Sequence, residues 1–121
     1  MIKKIDNPSI VKASGNKEKI IKEYFGRVNS LDTNVSIAFM RSPEGWFEPG
    51  QTPEFDEYTV VTRGTLHIKT KESDFDLKAG EAVCVSKSEW VQYSSPYPEG
   101  AEYVAVCLPA FSPDTVNRDV E

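Results

Sequence analysis

The chain has 121 residues, enough for one domain with a single modest core, and its 39% hydrophobic and 27% charged content suits a globular protein. Its net charge is −5 with Lys and Arg scattered singly, which argues against the basic face that a nucleic-acid partner needs. No apolar run approaches the roughly 18 residues of a bilayer span. The opening MIKKIDNPSIVKASG has lysines but no apolar signal-peptide core, so no membrane partner and a cytoplasmic location are expected.

The first 34 residues are polar and form an N-terminal segment expected to pack on the rest of the domain. Within it Ile20, Ile21, Tyr24 and Phe25 fit one helix face, and the same IIKEYF fits an edge strand ending at Gly26. Residues 35–40, VSIAFM, read as a buried strand. Pro43, Gly45, Pro49, Gly50 and Pro53 then punctuate a loop-rich stretch. EYTVVT (57–62) and TLHIKT (65–70) flank Arg63-Gly64 and predict a hairpin, with Gly64 supplying the positive φ of its turn. DFDL (74–77), EAVCVS (81–86), WVQYS (90–94) and EYVAVCL (102–108) continue the strand pattern, with a turn at Lys78-Ala79-Gly80. Short strands separated by turns, without intervening helices, predict an antiparallel sandwich or small barrel over residues 35–110. In the tail, residues 111–121, Ser112, Pro113 and Asp114 form a helix-start signature that predicts one or two helical turns.

Cys84 and Cys107 sit in apolar strand-like runs and read as buried free thiols. His67 alternates against Leu66 and Ile68, which places it on the sheet surface or at an interface and outside any site. EYVAVCL has apolar residues on both faces, so its second face is expected to meet another subunit or the N-terminal segment.

Two stretches carry a motif frame. Gly45, Gln51, Pro53, Glu57 and Gly64 fall at the spacing of glycine, five residues, His-x-His, three residues, glutamate, six residues, glycine. Gly80, Ser86, Ser88, Val91 and Ser95 fall at that of glycine, five residues, Pro-x-Gly, two residues, His, three residues, Asn. This frame resembles the cupin superfamily over roughly residues 35–110. It is similar above all to small single-domain bacterial and archaeal cupins, and to a lesser degree to the ethanolamine-utilisation cupin. The resemblance implies an all-β fold, a cupin-type antiparallel β-barrel (double-stranded β-helix or jelly roll), and sheet-to-sheet pairing into a homodimer.

The frame's histidine positions hold Gln51, Pro53 and Val91. One amide and one carboxylate, Gln51 and Glu57, are hard-oxygen donors that suit neither iron, nickel nor zinc. No metal ligands and no bound cofactor are therefore expected, beyond a weakly held divalent metal. In the cupin register Gln51, Glu57 and Tyr93 converge inside the barrel, beside apolar walls from Pro53, Phe55 and Val91, with Trp46 at the lip. A carboxylate held there must be protonated, hydrogen-bonded or matched by a cation, and an aromatic wall beside it would suit an organic ammonium. The expected binding residues are Gln51, Glu57, Tyr93, Trp46 and Phe55, with Glu57 as the candidate acid–base group. Three functions are compatible with this pattern: metal-free binding of a small-molecule ligand, a metal-independent isomerase or lyase using Glu57, and a subunit that keeps the fold without chemistry.

Overall fold

A computed structural model describes residues 1–120; the last residue of the predicted tail lies outside them. Among the described residues there are nine strands and no helix: β1 (Ser9–Val11), β2 (Ile20–Phe25), β3 (Ser36–Ser42), β4 (Trp46–Phe47), β5 (Asp56–Thr70), β6 (Asp74–Lys78), β7 (Ala82–Val85), β8 (Val91–Ser95) and β9 (Ala101–Leu108). Of the two readings open for IIKEYF, the strand is the one realised. It pairs with β3 through Ile21↔Met40 and Glu23↔Ala38.

All pairings are antiparallel, and the path β1-β2-β3-β9-β5-β8-β4 curls into a barrel-like sheet, with β6 and β7 added along β5. β5 makes the curl. Its first half pairs with β7 and β9, and its second half with β6 and β8.

The predicted hairpin at Arg63-Gly64 is therefore not a hairpin. The strand runs straight through, with a register shift between Val61 and Arg63 against β9. Gly64 has φ +72°, and a Cβ there would lie 2.1 Å from the Gly100 carbonyl oxygen. A positive-φ glycine serves a two-residue turn and a β-bulge equally well. Here it bends one long strand from one face of the barrel to the other.

The strand alternation expected from the sequence sorts side chains as it should. Val61, Leu66, Ile68, Leu77, Val85, Val91 and Tyr103 turn inward into the main apolar cluster, and each such burial contributes roughly 1.5–3 kcal/mol. A second, smaller cluster of Phe55, Cys107 and Val116, with Phe111 against it, closes the end of the barrel under the tail.

That tail departs from its predicted helix. Ser112 does cap a turn, its Oγ accepting the Asp114 N–H at 3.1 Å and its carbonyl the Thr115 and Val116 N–H groups. The turn stops there, because Asn117 takes a left-handed φ of 50° and residue 118 bridges to Gln51 as extended chain. Backbone bonds from Thr52 to Asn117, Glu54 to Thr115 and Asp119 to Gly50 tie the tail across the barrel as a strap. A continuing helix would forfeit those bonds.

Candidate functional site

The inward faces of β2, β3, β9 and the first half of β5 line a cavity of about 70 Å³. The register sets its wall. Glu57 stands opposite Cys107 and Thr59 opposite Ala105, while Ala38 of β3 faces Ala105 and Glu23 of β2 faces Ala38. Tyr93 enters from β8, Lys19 from the segment before β2, and Arg118 from the strap.

Glu57 lies among these groups. A sliver of it stays accessible through the cavity, but enough protein surrounds the carboxyl to raise its pKa to about 7. Burial is the main cause and the nearby Glu48 carboxylate the second; Lys19, Arg118 and the Tyr93 hydroxyl pull the other way. The Tyr93 hydroxyl is near enough to favour the ionised carboxyl, yet no hydrogen bond closes between them. Tyr93 is 5% exposed, and its hydroxyl is, among the described residues, the buried side-chain polar atom without a partner. Its own pKa is pushed well up, by burial first and by Glu57 next, so it stays a phenol.

The other polar groups are engaged. Arg118 Nη1 donates to Gln51 Oε1 at 2.7 Å and pairs with Glu48 at 3.2 Å. Glu23 Oε2 accepts the Val28 and Asn29 N–H groups at 2.9 and 2.8 Å, which holds the loop after β2. The Lys19 ammonium lies 4.1 Å above the centre of the Trp46 ring and 5.1 Å from that of Tyr103. The Cys107 thiol also faces the cavity, where burial and Glu57 push its pKa up and keep it protonated.

Of the five residues expected at the site, Gln51, Glu57 and Tyr93 meet at the cavity. Trp46 and Phe55 do not. Trp46 is 0% exposed in the main cluster, with its indole N–H donated to the Ser14 carbonyl at 3.0 Å; it is a core residue, not a lip. Phe55 is 1% exposed and packs edge-on against Phe111 at 5.8 Å, in the cluster beneath the strap. Both stand in the loop-rich Gly- and Pro-containing stretch, and the barrel buries both of them outside the cavity. Lys19, Glu48 and Arg118 are site residues that the motif frame does not contain. The one sequence signal for Arg118 is the pair of apolar residues, Phe111 and Val116, that pin its polar tail down.

Solved structures with this fold include EutQ of Clostridium difficile, with a TM-score of 0.64 and 25% identity over 77% of this chain and 64% of that one. They also include an RmlC-like cupin of Shewanella frigidimarina, with a TM-score of 0.69 and 15% identity over 85% of each chain. The chain belongs to the cupin superfamily. No protein-family model matches this cupin. A curated relative, named Endoribonuclease YbeY, of Myxococcus xanthus, is 35% identical over 101 residues. Those residues are 84% of this cupin and 34% of the relative, so the chain spans about a third of the length of the protein bearing that name. It also spans just under two thirds of the EutQ chain.

The fold family raises the question of a metal, and the donors present do not fit one. Among the described residues no three His, Cys, Asp or Glu side chains are grouped to hold an ion. Gln51, the amide donor, is taken by a guanidinium, and a divalent cation there would face Arg118 and Lys19. His67 lies outside the site, its Nδ1 2.8 Å from Asp76 and its Nε2 against Asp74. Among the described residues no helix is long and apolar enough to cross a membrane.

Proposed function

We propose that this cupin binds a small organic molecule in the cavity between Glu57, Tyr93 and Lys19, without a tightly held transition metal. One observation carries the reading. A buried hydroxyl costs free energy when it has no partner, and the Tyr93 hydroxyl is left in that condition beside a carboxyl with a raised pKa. A ligand that engages both would relieve both. A thermal-shift panel of amines, polyamines, sugars and carboxylates tests this. At least one probe should raise the melting temperature of the wild type, and the size of that shift should change in Glu57→Gln. A flat panel would leave the third function, a barrel without chemistry.

A second reading rests on the pKa of Glu57. A carboxyl that titrates near 7 can give or take a proton at physiological pH, which is what an isomerase or lyase needs of its acid–base group. Turnover of a bound probe, lost in Glu57→Gln without loss of binding, would distinguish enzyme from binding protein.

The homodimer belongs to the same proposal. Tyr58, Val60 and Leu108 are 45%, 46% and 41% exposed on the outer face of β5 and β9, and a second copy would cover them. Light scattering at micromolar concentration should give twice the chain mass; a stable monomer would overturn this part.

A further inference from the structure

The binding reading leaves the ligand's chemistry open, and the charges around the cavity narrow it. Three cations line it, Lys12, Lys19 and Arg118, and three carboxylates, Glu23, Glu48 and Glu57. Most of these charges are already matched. Arg118 is paired with Glu48 and also held by Gln51, and Glu23 is bound by two backbone N–H groups. Lys12 is exposed at the rim.

Two charged side chains remain. Glu57 can shed its charge by taking up a proton, since its pKa is raised to about 7. Lys19 is the other. It is half-buried over two aromatic rings, with no carboxylate among the described residues within ion-pair distance. The rings offset part of its desolvation but do not neutralise it. With Glu57 protonated, cations outnumber carboxylates around the cavity.

An incoming ammonium would meet Lys19 and Arg118, and its only free counter-charge would be Glu57, which is ionised only in part near neutral pH. An incoming carboxylate would meet an unpaired ammonium. It would also find an unpartnered hydroxyl, Tyr93, 95% buried across the same cavity. The enclosed space of about 70 Å³ holds on the order of five water-sized groups, which limits the enclosed part of the ligand to a few non-hydrogen atoms.

We infer that the cavity takes a small organic acid, its carboxylate on the Lys19 ammonium and a second polar group on the Tyr93 hydroxyl. The inference rests on the binding reading above and reverses the sequence-based expectation of an organic cation. That expectation took in Glu57 and the aromatic residues but not the two cations that the N-terminal segment and the strap bring in.

Isothermal titration with three probes of similar size tests it: glycolate, its neutral amide glycolamide, and ethylammonium. Glycolate should bind the wild type at least tenfold more tightly than either of the others. Lys19→Met keeps an apolar stem over the rings and should cut glycolate affinity at least tenfold while leaving glycolamide unchanged. Tyr93→Phe should weaken glycolate but leave unchanged the binding of acetate, titrated beside the three as a control without a second polar group. Circular dichroism of each variant confirms that the fold is intact. Ethylammonium binding more tightly than glycolate, or glycolate binding that ignores Lys19→Met, would overturn the inference and leave the binding reading standing. If none of the three probes binds, the inference falls, and the binding reading is decided by the thermal-shift panel.

Discussion

Lys19 and Arg118 reach the same cavity from opposite ends of the chain, and they are held differently. Arg118 arrives on a strap fixed by three backbone hydrogen bonds, and its guanidinium is matched by Glu48 and Gln51. Lys19 comes from the segment between β1 and β2 and rests on the Trp46 and Tyr103 rings, close to the Tyr103 hydroxyl, with no carboxylate in an ion pair among the described residues. The difference separates a charge that stabilises the fold from one left available to a ligand. It also bears on the raised pKa of Glu57: the better-matched cation is already engaged with Glu48, and the two cations together offset only part of the desolvation of Glu57.

Breaking the engaged side should have the largest effect on stability. Arg118→Met leaves Glu48, which is 6% exposed, as an unpaired carboxylate. Removing one partner of a buried pair costs about 3–5 kcal/mol, and because Arg118 is a quarter exposed a loss of about 2–3 kcal/mol is expected in denaturant unfolding.

Glu57→Gln should act in the opposite direction. A carboxyl whose folded pKa, about 7, exceeds its ordinary value of 4.5 favours the folded state at low pH, and that contribution is lost as pH rises from about 4.5 through about 7. The glutamine variant does not titrate. It should therefore be more stable than the wild type by about 2 kcal/mol at pH 8, with the gain gone near pH 4, as read from denaturant midpoints across that range.

Tyr93→Phe removes the unpartnered hydroxyl. The ligand-free variant should gain about 1 kcal/mol in the same assay, even as its affinity for glycolate falls. Lys19→Met should move stability least, by under about 1 kcal/mol in either direction, because only a ring contact is exchanged. A Lys19 variant as destabilised as the Arg118 one would erase the contrast between the two.

The sequence carries the inward rows of the barrel well. A period of two is a local signal that sorts the two faces of each strand, and the register implied by the cupin resemblance then puts Glu57 and Tyr93 on the interior face. Partner choice is not local. Gly64 serves a hairpin and a bulge through the same backbone angle, and only the register against β9 and the closeness of Gly100 decide between them. Ser112 begins a helical turn as its signature says, but long-range bonds from the strap override the helix. Trp46 and Phe55 are misplaced by sequence reasoning because glycine and proline mark loops without saying what covers them. Lys19 and Arg118 are invisible as site residues because neither lies in a periodic stretch. Their position depends on where the N-terminal segment and the strap cross the barrel.

The central claim is that Glu57 lies in a desolvated cavity shared with a ligand's charge. A carbon-13 carboxyl titration of the protein, with and without glycolate, reads this directly. Glu57 should titrate near pH 7 in the free protein, and higher still once a second carboxylate is bound nearby. A Glu57 that titrates near 4.5, unmoved by saturating glycolate, would contradict the account.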